Sequence, residues 1–150
     1  MLARPNRFKV RALLRPSDKN RVFAKKHMCP ALEVVWGDMS DYDTIKKCVD
    51  GCDYVLHIGA MVSPAADKYP EETLYTNIGS TLNIIKAIKE QPDPDKVHLA
   101  YVGTVAMTGS RLEPVHFGRV GDPMNPSIHD YYALSKVFTE AALYDCGLKY

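Results

Sequence analysis

Residues 54–60 read YVLHIGA, residues 71–90 read EETLYTNIGSTLNIIKAIKE, and residues 97–102 read VHLAYV. The first and last segments are short apolar runs that predict buried β-strands at 54–58 and 97–102. In the middle segment, apolar residues recur every three or four positions, which predicts a long helix with one buried face. Strand, helix and strand in this order indicate a βαβ unit and therefore a parallel sheet.

The same alternation continues on both sides of this unit. Further strands are predicted at 8–14 and 32–36, and further helices at 19–28, 41–49 and 131–144. Ser40 is the predicted N-terminal cap of the second of these helices. A long loop with several prolines and glycines is expected at 111–127, and such loops are usually functional in compact domains. The chain therefore predicts one α/β domain with a doubly wound parallel sheet.

Composition and charge exclude several classes of protein. The 150 residues include 19 lysines and arginines and 18 aspartates and glutamates, so no bulk charge points to nucleic acid. No apolar run approaches the ~20 residues that cross a bilayer, and no signal-peptide pattern opens the sequence. The four cysteines and five histidines form no disulfide framework and no metal-ligand spacing. We expect a cytoplasmic protein with reduced thiols, no metal, no membrane partner, and His57 as a core residue.

Residues 130–136, DYYALSK, contain a pair of side chains with chemical potential. Tyr132 and Lys136 are four positions apart, so a helix puts both on one face. An ammonium beside a phenol stabilises the phenolate, which a tyrosine needs in order to act as a general acid or base. Taken alone, such a pair is more often an ordinary pair of neighbours on a helix surface.

A hydroxyl residue follows the strand predicted at 97–102. Thr104 comes two residues after that strand, and ligands of open α/β sheets bind beyond the carboxyl ends of the strands. Its hydroxyl could therefore bond a substrate oxygen beside the tyrosine. The alternative is that Thr104 only caps a turn, as threonine often does.

In combination, these residues resemble the active-site set of the extended short-chain dehydrogenase/reductases, the NAD(P)-dependent epimerase/dehydratase family. That family places a serine or threonine after the fifth strand of its sheet, and a tyrosine and a lysine on the next helix. Thr104, Tyr132 and Lys136 match this set in order. The resemblance implies that Tyr132 exchanges a proton with the substrate, that Lys136 supports it and holds the nicotinamide ribose, and that Thr104 orients the substrate oxygen.

Three further segments resemble cofactor-binding motifs of the same family. GDMSD at 37–41 resembles the motif whose first aspartate accepts a hydrogen bond from adenine, and VLHIGA at 55–60 resembles the strand whose small residues pass under the cofactor. NIGST at 77–81 resembles Asn-Val-x-Gly-Thr, with Ser80 in place of the usual glycine; its asparagine would also brace the catalytic site and relay protons. The residues that the resemblance assigns to the cofactor in these segments are Asp38, Met39, Gly59, Ala60, Met61 and Asn77.

Arg15 bears on the choice between NAD and NADP. It follows the strand at 8–14, where an acidic residue would bond the adenosine ribose of NAD and an arginine would accommodate the 2′-phosphate of NADP. A guanidinium matches a phosphate in geometry and charge. Similar sequences occur in the dihydroflavonol-reductase-like members, which use NADPH, so NADP is preferred over NAD. The alternative is that Arg15 is a solvated surface residue.

One motif of the family has no counterpart in this sequence. The family begins with a strand and a Gly-x-x-Gly-x-x-Gly turn, which lays the cofactor pyrophosphate on a helix N-terminus. In the sheet order 3-2-1-4-5-6, that strand lies between those predicted here at 8–14 and 54–58, so we expect two half-sheets. The family's C-terminal substrate region has no counterpart either. Residues 1–150 are therefore expected to form a partial NAD(P)-binding Rossmann domain of a longer enzyme.

Two functional hypotheses follow from the sequence. The first is an NAD(P)-dependent oxidoreductase or epimerase that acts on a sugar nucleotide or another small hydroxyl or carbonyl compound, with a homodimer as one candidate assembly. Dehydration is less favoured, because no glutamate lies between Val105 and Gly109. The second is a non-catalytic fragment or binding protein that retains the scaffold, a hypothesis that the missing glycine-rich turn favours.

Overall fold

The computed structural model describes residues 1–109, 121 and 123–147. Strands β1 to β4 span Val10–Leu14, Leu32–Trp36, Tyr54–His57 and His98–Tyr101, and helices α1 to α5 span Asp18–His27, Tyr42–Val49, Ala65–Lys68, Pro70–Lys89 and Tyr131–Asp145. All four predicted strands and all four predicted helices are found within two residues of the predicted bounds, while α3 is additional. The prediction that 54–58 is a buried strand was wrong, because Tyr54 and Leu56 are 65% and 48% exposed. The predicted loop at 111–127 lies mostly outside the described residues.

The strands form two separate parallel pairs, as expected for an α/β fold of this kind. β1 pairs with β2, in a register that runs from Val10 opposite Leu32 to Leu14 opposite Trp36. β3 pairs with β4, and Tyr54 lies opposite His98. In the described part of the chain, no strand joins the two pairs. The expectation of two half-sheets is therefore confirmed.

One apolar core serves both pairs of strands. Its buried members come from α2, α4, β4 and α5: Ile45, Val49, Ile84, Ile85, Ala87, Ile88, Leu99 and Leu143. Leu13 of β1 and Val55 of β3 pack against this cluster from the two half-sheets. Helix α4 is the element on which the other helices pack, but its buried face differs in part from the apolar face that the spacing predicts. Leu82, which has that spacing, is 48% exposed, whereas Thr73 and Ser80 are fully buried.

Arg11 fixes the end of α2 against β1. Its guanidinium donates hydrogen bonds to the carbonyl oxygens of Lys47 at 3.0 Å, Cys48 at 3.2 Å and Asp50 at 2.7 Å. The last carbonyls of a helix have no partner within the helix, so a cation placed there satisfies them and interacts favourably with the helix dipole. This contact sets the position of α2 relative to the first half-sheet.

Helix α2 begins differently from the sequence-based prediction. Asp41, not Ser40, is the N-cap residue: its carboxylate accepts hydrogen bonds from Thr44 N at 3.0 Å and from the Thr44 hydroxyl. The Ser40 hydroxyl instead donates to Asp38 Oδ1 at 2.8 Å, which also accepts from Ser40 N at 2.9 Å. The prediction of a Ser40 cap was wrong because the carboxylate two residues earlier engages the serine.

Membrane and metal features can be assessed for residues 1–109, 121 and 123–147. Among them, no helix combines the length and the apolar character that a membrane span requires. The same residues contain no group of three or more His, Cys, Asp and Glu side chains arranged to hold a metal ion. The four cysteines are free thiols.

Candidate active site

Tyr132 and Lys136 lie in the first two turns of α5. Asp130 caps this helix, because its Oδ1 accepts a hydrogen bond from Ala133 N at 2.8 Å. Lys136 Nζ lies 5.7 Å from the centre of the Tyr132 ring and 4.5 Å from the centre of the Tyr101 ring. The four-residue spacing thus brings the ammonium and the phenol ring together on one side of the helix.

Lys136 is held at the carboxyl end of β4. Only 2% of the residue is exposed, and Nζ donates a hydrogen bond to Val102 O at 2.7 Å. Burial lowers the pKa of Lys136, because the charged form loses hydration. The carbonyl and the face of the Tyr101 ring offset part of that loss. A lysine this deeply placed is not an ordinary surface neighbour of a tyrosine.

Thr104 lies at the start of a 3₁₀ turn, Val105–Thr108, which packs against α5. Its Oγ1 accepts a hydrogen bond from Ala106 N at 3.3 Å, so the turn-capping role considered above is real. A hydroxyl that accepts one hydrogen bond still has its own proton to donate. Capping the turn is therefore compatible with contacting a substrate oxygen, and the catalytic role of Thr104 stays a prediction.

Asn77 connects the loop after β3 to α5. Its Oδ1 accepts from Met61 N at 2.7 Å, and its Nδ2 donates to Met61 O at 3.0 Å and to Ser135 Oγ at 2.9 Å. Asn77 is 3% exposed and Ser135 is fully buried. Sequence reasoning identified Asn77 but missed Ser135, although this serine stands next to Lys136 in the YALSK segment.

The loops after β2 and β3 meet at two of the predicted cofactor residues. A Cβ atom added to Gly59 would lie 3.5 Å from the Met39 side chain, so these two residues are neighbours. Ala60 and Met61 continue the loop after β3, and both are half-buried. The structure therefore brings the loops after β2 and β3, which belong to different half-sheets, close together at the carboxyl ends of these strands.

Asp38 and Arg15 pair with each other. Arg15 Nε lies 3.0 Å from Asp38 Oδ2, and both side chains are about half exposed, at 57% and 42%. Hydrogen bonds from the Ser40 backbone and hydroxyl, with help from Arg15, hold the pKa of Asp38 below its usual value. Asp38 therefore presents a carboxylate at this edge, and Arg15 is an exposed residue that pairs with it, so its role in cofactor recognition stays a prediction.

His57 is a core residue, as expected, and it links β3 to α4. It is 6% exposed, and its Nε2 lies 2.8 Å from Thr81 Oγ1. Because Thr81 Oγ1 also donates to Asn77 O at 3.1 Å, the imidazole Nε2 is best placed as the donor to Thr81. Burial, with a smaller contribution from Lys136, lowers the pKa of His57 to about 4.

These side chains fit two parts of a nicotinamide cofactor. The buried Lys136 beside Tyr132 could hold a ribose at the end of β4, and the Asp38 carboxylate in the loop after β2 could accept from an adenine amino group. The pyrophosphate is different, since the sequence contains no Gly-x-x-Gly-x-x-Gly turn to receive it.

Residues 2–150 match the NAD dependent epimerase/dehydratase family. The chain belongs to this family. The matched residues include all the segments that resemble motifs of this family, from Arg15 to Lys136.

Two curated relatives represent different activities. The 3 beta-hydroxysteroid dehydrogenase/Delta 5-->4-isomerase of Mycobacterium tuberculosis (strain CDC 1551 / Oshkosh) is 27% identical over 116 residues, which are 74% of this chain and 30% of the relative. The UDP-glucose 4-epimerase of Rickettsia bellii (strain RML369-C) is 34% identical over 59 residues, 39% of this chain and 17% of that protein. The chain thus spans less than a third of the length of these relatives.

The fold of this family member is also that of a solved enzyme structure. The dTDP-glucose 4,6-dehydratase DesIV of Streptomyces venezuelae, solved as a double mutant with NAD and DAU bound, superposes with a TM-score of 0.74 at 20% identity. The superposition covers 91% of this chain and 42% of DesIV. At this identity the likeness establishes the Rossmann-type fold and nothing finer.

Proposed function

We propose that residues 1–150 are part of the NAD(P)-binding domain of an oxidoreductase or epimerase, and that they carry its proton-transfer residues. The observation that carries this proposal is the placement of Lys136. This lysine is 2% exposed, its Nζ donates a hydrogen bond to Val102 O at 2.7 Å, and Nζ lies 5.7 Å from the centre of the Tyr132 ring. Burying a lysine is costly, and perturbed buried groups of this kind cluster at functional sites.

Each catalytic side chain then has a distinct task. Tyr132 gives a proton to, or takes one from, a substrate hydroxyl or carbonyl oxygen, and the Lys136 ammonium stabilises the phenolate that this transfer creates. Thr104 donates a hydrogen bond that orients the same substrate oxygen, and Asn77 braces the site from α4. The bound cofactor would supply or accept a hydride. The substrate class is a small hydroxyl or carbonyl compound, with sugar nucleotides favoured by the similarity to UDP-glucose 4-epimerases.

The cofactor would lie across the loops after β2 and β3. We assign Asp38 and Met39 to the adenine, and Gly59, Ala60 and Met61 to the surface over which the cofactor passes. The position of the Met39 side chain, 3.5 Å from where a Cβ of Gly59 would lie, supports this assignment, since it brings the two loops to one edge. Lys136 and Tyr132 would hold the nicotinamide ribose at the opposite end.

A cofactor titration followed by a point substitution tests the proposal. NADPH or NADH fluorescence should change on addition of the chain, and in the longer enzyme Tyr132→Phe should leave cofactor binding nearly intact while turnover is lost. Tyr131→Phe is the matched control, because it removes a neighbouring phenol hydroxyl and should preserve turnover. Absence of binding at millimolar cofactor, or turnover retained by Tyr132→Phe, would contradict the enzymatic role of this chain.

We propose NADP as the preferred cofactor, with Arg15 as the group that recognises the 2′-phosphate. The ion pair with Asp38 supports this, because it holds the guanidinium at the edge assigned to the adenosine. Losing a charge-assisted hydrogen bond costs about 1.5–3 kcal/mol, so Arg15→Gln should weaken NADPH binding about tenfold or more. NADH binding should change little. Equal losses for both cofactors would contradict the assignment.

A non-catalytic binding protein is the second candidate, and it is favoured by one observation. The sequence lacks the glycine-rich turn that cradles a dinucleotide pyrophosphate. The two candidates differ in the outcome of the titration described above. A protein that retains the scaffold without catalysis should bind neither NADPH nor NADH, and Lys136→Met should then change only its stability.

We further propose a homodimer in the cytoplasm. Helix α4 exposes Tyr75 and Leu82, at 70% and 48%, and α5, which packs on α4, exposes Phe138 at 60%. Large exposed apolar side chains on adjacent helices are typical of protein interfaces. Sedimentation velocity should therefore detect a dimer that Leu82→Lys weakens.

The four free thiols support the proposed location in the cytoplasm, which is a reducing compartment.

A further inference from the structure

Ser135 occupies a buried position between the proposed catalytic residues and the proposed cofactor loop. It is fully buried in α5, one residue before Lys136 and three after Tyr132. Its Oγ donates a hydrogen bond to Tyr132 O at 2.7 Å and accepts one from Asn77 Nδ2 at 2.9 Å. The serine therefore joins α5 to α4 through one oxygen atom.

The other end of this connection is the backbone of Met61. Asn77 contacts both polar groups of that residue: Met61 N donates to Oδ1 at 2.7 Å, and Nδ2 donates to Met61 O at 3.0 Å. This two-point contact fixes the peptide that follows Gly59 and Ala60. It also fixes the orientation of the Asn77 amide, since reversal would put donor against donor and acceptor against acceptor.

Ser135 completes the hydrogen bonding of that amide. An asparagine Nδ2 carries two protons; one goes to Met61 O, and the second goes to Ser135 Oγ. Because the Ser135 hydroxyl donates its proton to Tyr132 O, its oxygen can accept a hydrogen bond from Asn77 Nδ2. Without this oxygen, one proton of a 3% exposed amide would have no partner, which is the costly case for a buried polar group.

We propose that Ser135 is a positioning residue that couples the 59–61 loop to the turn of α5 that carries Tyr132 and Lys136. Through Asn77, it holds the Met61 peptide in place relative to Tyr132. The consequence for cofactor alignment rests on the proposed function, whereas the coupling itself does not. Loss of the Ser135 oxygen loosens the Met61 peptide, although Met61 and Ser135 share no direct contact.

Hydrogen exchange at the Met61 amide tests this coupling in the full chain without any cofactor. Ser135→Ala should accelerate exchange at Met61 about tenfold, because an unsatisfied buried N–H destabilises the closed loop. Thr139→Val is the matched control: its hydroxyl is also buried in α5 and donates to Ser135 O at 2.7 Å, but it does not contact Asn77. Exchange at Met61 should stay within twofold of wild type in this control.

The outcomes separate a positioning role from a general effect on α5. Unchanged exchange at Met61 in Ser135→Ala, or equal acceleration in Thr139→Val, overturns the proposal. If Ser135→Ala does not fold, Ser135→Cys replaces it, because a thiol of similar size is a weak acceptor and should also accelerate exchange. Wild-type exchange in Ser135→Cys overturns the proposal as well.

A cofactor titration of the same variants adds the link to function. Ser135→Ala should weaken NADPH or NADH binding several-fold, while Thr139→Val should bind like the wild type. If the wild-type chain binds neither cofactor, the proposed function fails, and Met61 exchange still decides whether Ser135 couples the loop to α5. If Ser135→Ala accelerates exchange but binds cofactor like the wild type, the assignment of the 59–61 loop to the cofactor is overturned.

Discussion

The buried imidazole of His57 makes the free energy of unfolding depend on pH. Burial lowers its pKa from 6.5 to about 4 in the folded chain. Between these two values the unfolded chain binds a proton that the folded chain does not, so the stability present above pH 6.5 is lost as the pH falls toward 4. The loss amounts to about 3 kcal/mol from this residue, because one pKa unit corresponds to about 1.4 kcal/mol.

Urea unfolding at a series of pH values measures this contribution. His57→Gln should be less stable than the wild type at neutral pH, since it loses packing, but its stability should fall less steeply on acidification. His27→Gln is the matched substitution, because it removes an exposed histidine of α1. Parallel slopes for the wild type and His57→Gln would mean that His57 does not carry the pH dependence.

The sequence predicted those site residues whose relation is local. Tyr132 and Lys136 are four residues apart on one helix, and helix geometry alone brings them together. The contact between Ser135 and Asn77 joins residues 58 positions apart, and the ion pair of Arg15 is with Asp38 on a different loop. Contacts between different helices and loops depend on how these elements pack. A single sequence has no periodic pattern that predicts this packing.

At the scale of elements, the start of α2 depends on Asp41. Asp41→Ala should lower the melting temperature by several degrees, because Thr44 N loses its acceptor at the helix start. Asp41→Asn keeps an oxygen that can cap the helix and should melt close to the wild type. Circular dichroism melts of the two variants decide the matter. A larger effect of Ser40→Ala than of Asp41→Ala would favour the original serine cap.

Gly109 determines whether the 3₁₀ turn after β4 can pack against residues 123–127. Its φ is +70°, and an added Cβ would lie 2.0 Å from Asn125 O, while Asn125 N donates to Met107 O at 2.9 Å. Gly109→Ala therefore meets a backbone atom that cannot move without breaking this contact. With a ψ of −170°, Gly109 also lies in a backbone region that is essentially restricted to glycine, so we expect Gly109→Ala to cost clearly more than the ~1–2 kcal/mol of an ordinary left-handed conformation.

Gly51→Ala is the comparison variant for that loss. Gly51 has a φ of +64°, and no atom lies within 4 Å of its added Cβ. It therefore reports the cost of a positive φ without a clash, and chemical denaturation should show a clearly smaller loss for Gly51→Ala than for Gly109→Ala. Equal losses in the two variants would contradict the larger penalty expected at Gly109.

The bounds of the elements were predictable because periodicity and breakers act locally. Proline at 92 and 94 and the apolar spacing of α4 located that helix within one residue at each end. The N-cap residue of α2 was not predictable in the same way, because two nearby carboxylates accept hydrogen bonds there. Asp38 accepts from Ser40, and Asp41 accepts from Thr44 N. Helix α3 is only four residues long, too short for a periodic signal.

At the scale of the whole molecule, two half-sheets share one core but keep separate edges. His98 N donates to Asp53 O, and Val102 N donates to His57 O, so alternate residues of β3 point their backbone groups toward β4. The backbone N–H and C=O groups of Tyr54 and Leu56 therefore point away from β4, toward the other edge of β3. The order of family motifs predicted this arrangement, whereas composition and the 150-residue length alone were compatible with a continuous sheet.

An apolar strand edge of this kind promotes self-association through backbone pairing. Leu56 is 48% exposed on β3, and Leu82 is 48% exposed on α4, so the two leucines form a matched pair of surface probes. Leu56→Lys should reduce concentration-dependent light scattering, because a lysine on an edge strand disfavours pairing with a second chain. It should leave the dimer proposed for the helices intact. Leu82→Lys should have the converse effect, weakening the dimer in sedimentation velocity while the scattering persists. If Leu82→Lys removes both species, the helices carry all of the self-association, and the β3 edge is protected in solution despite its exposed side chains.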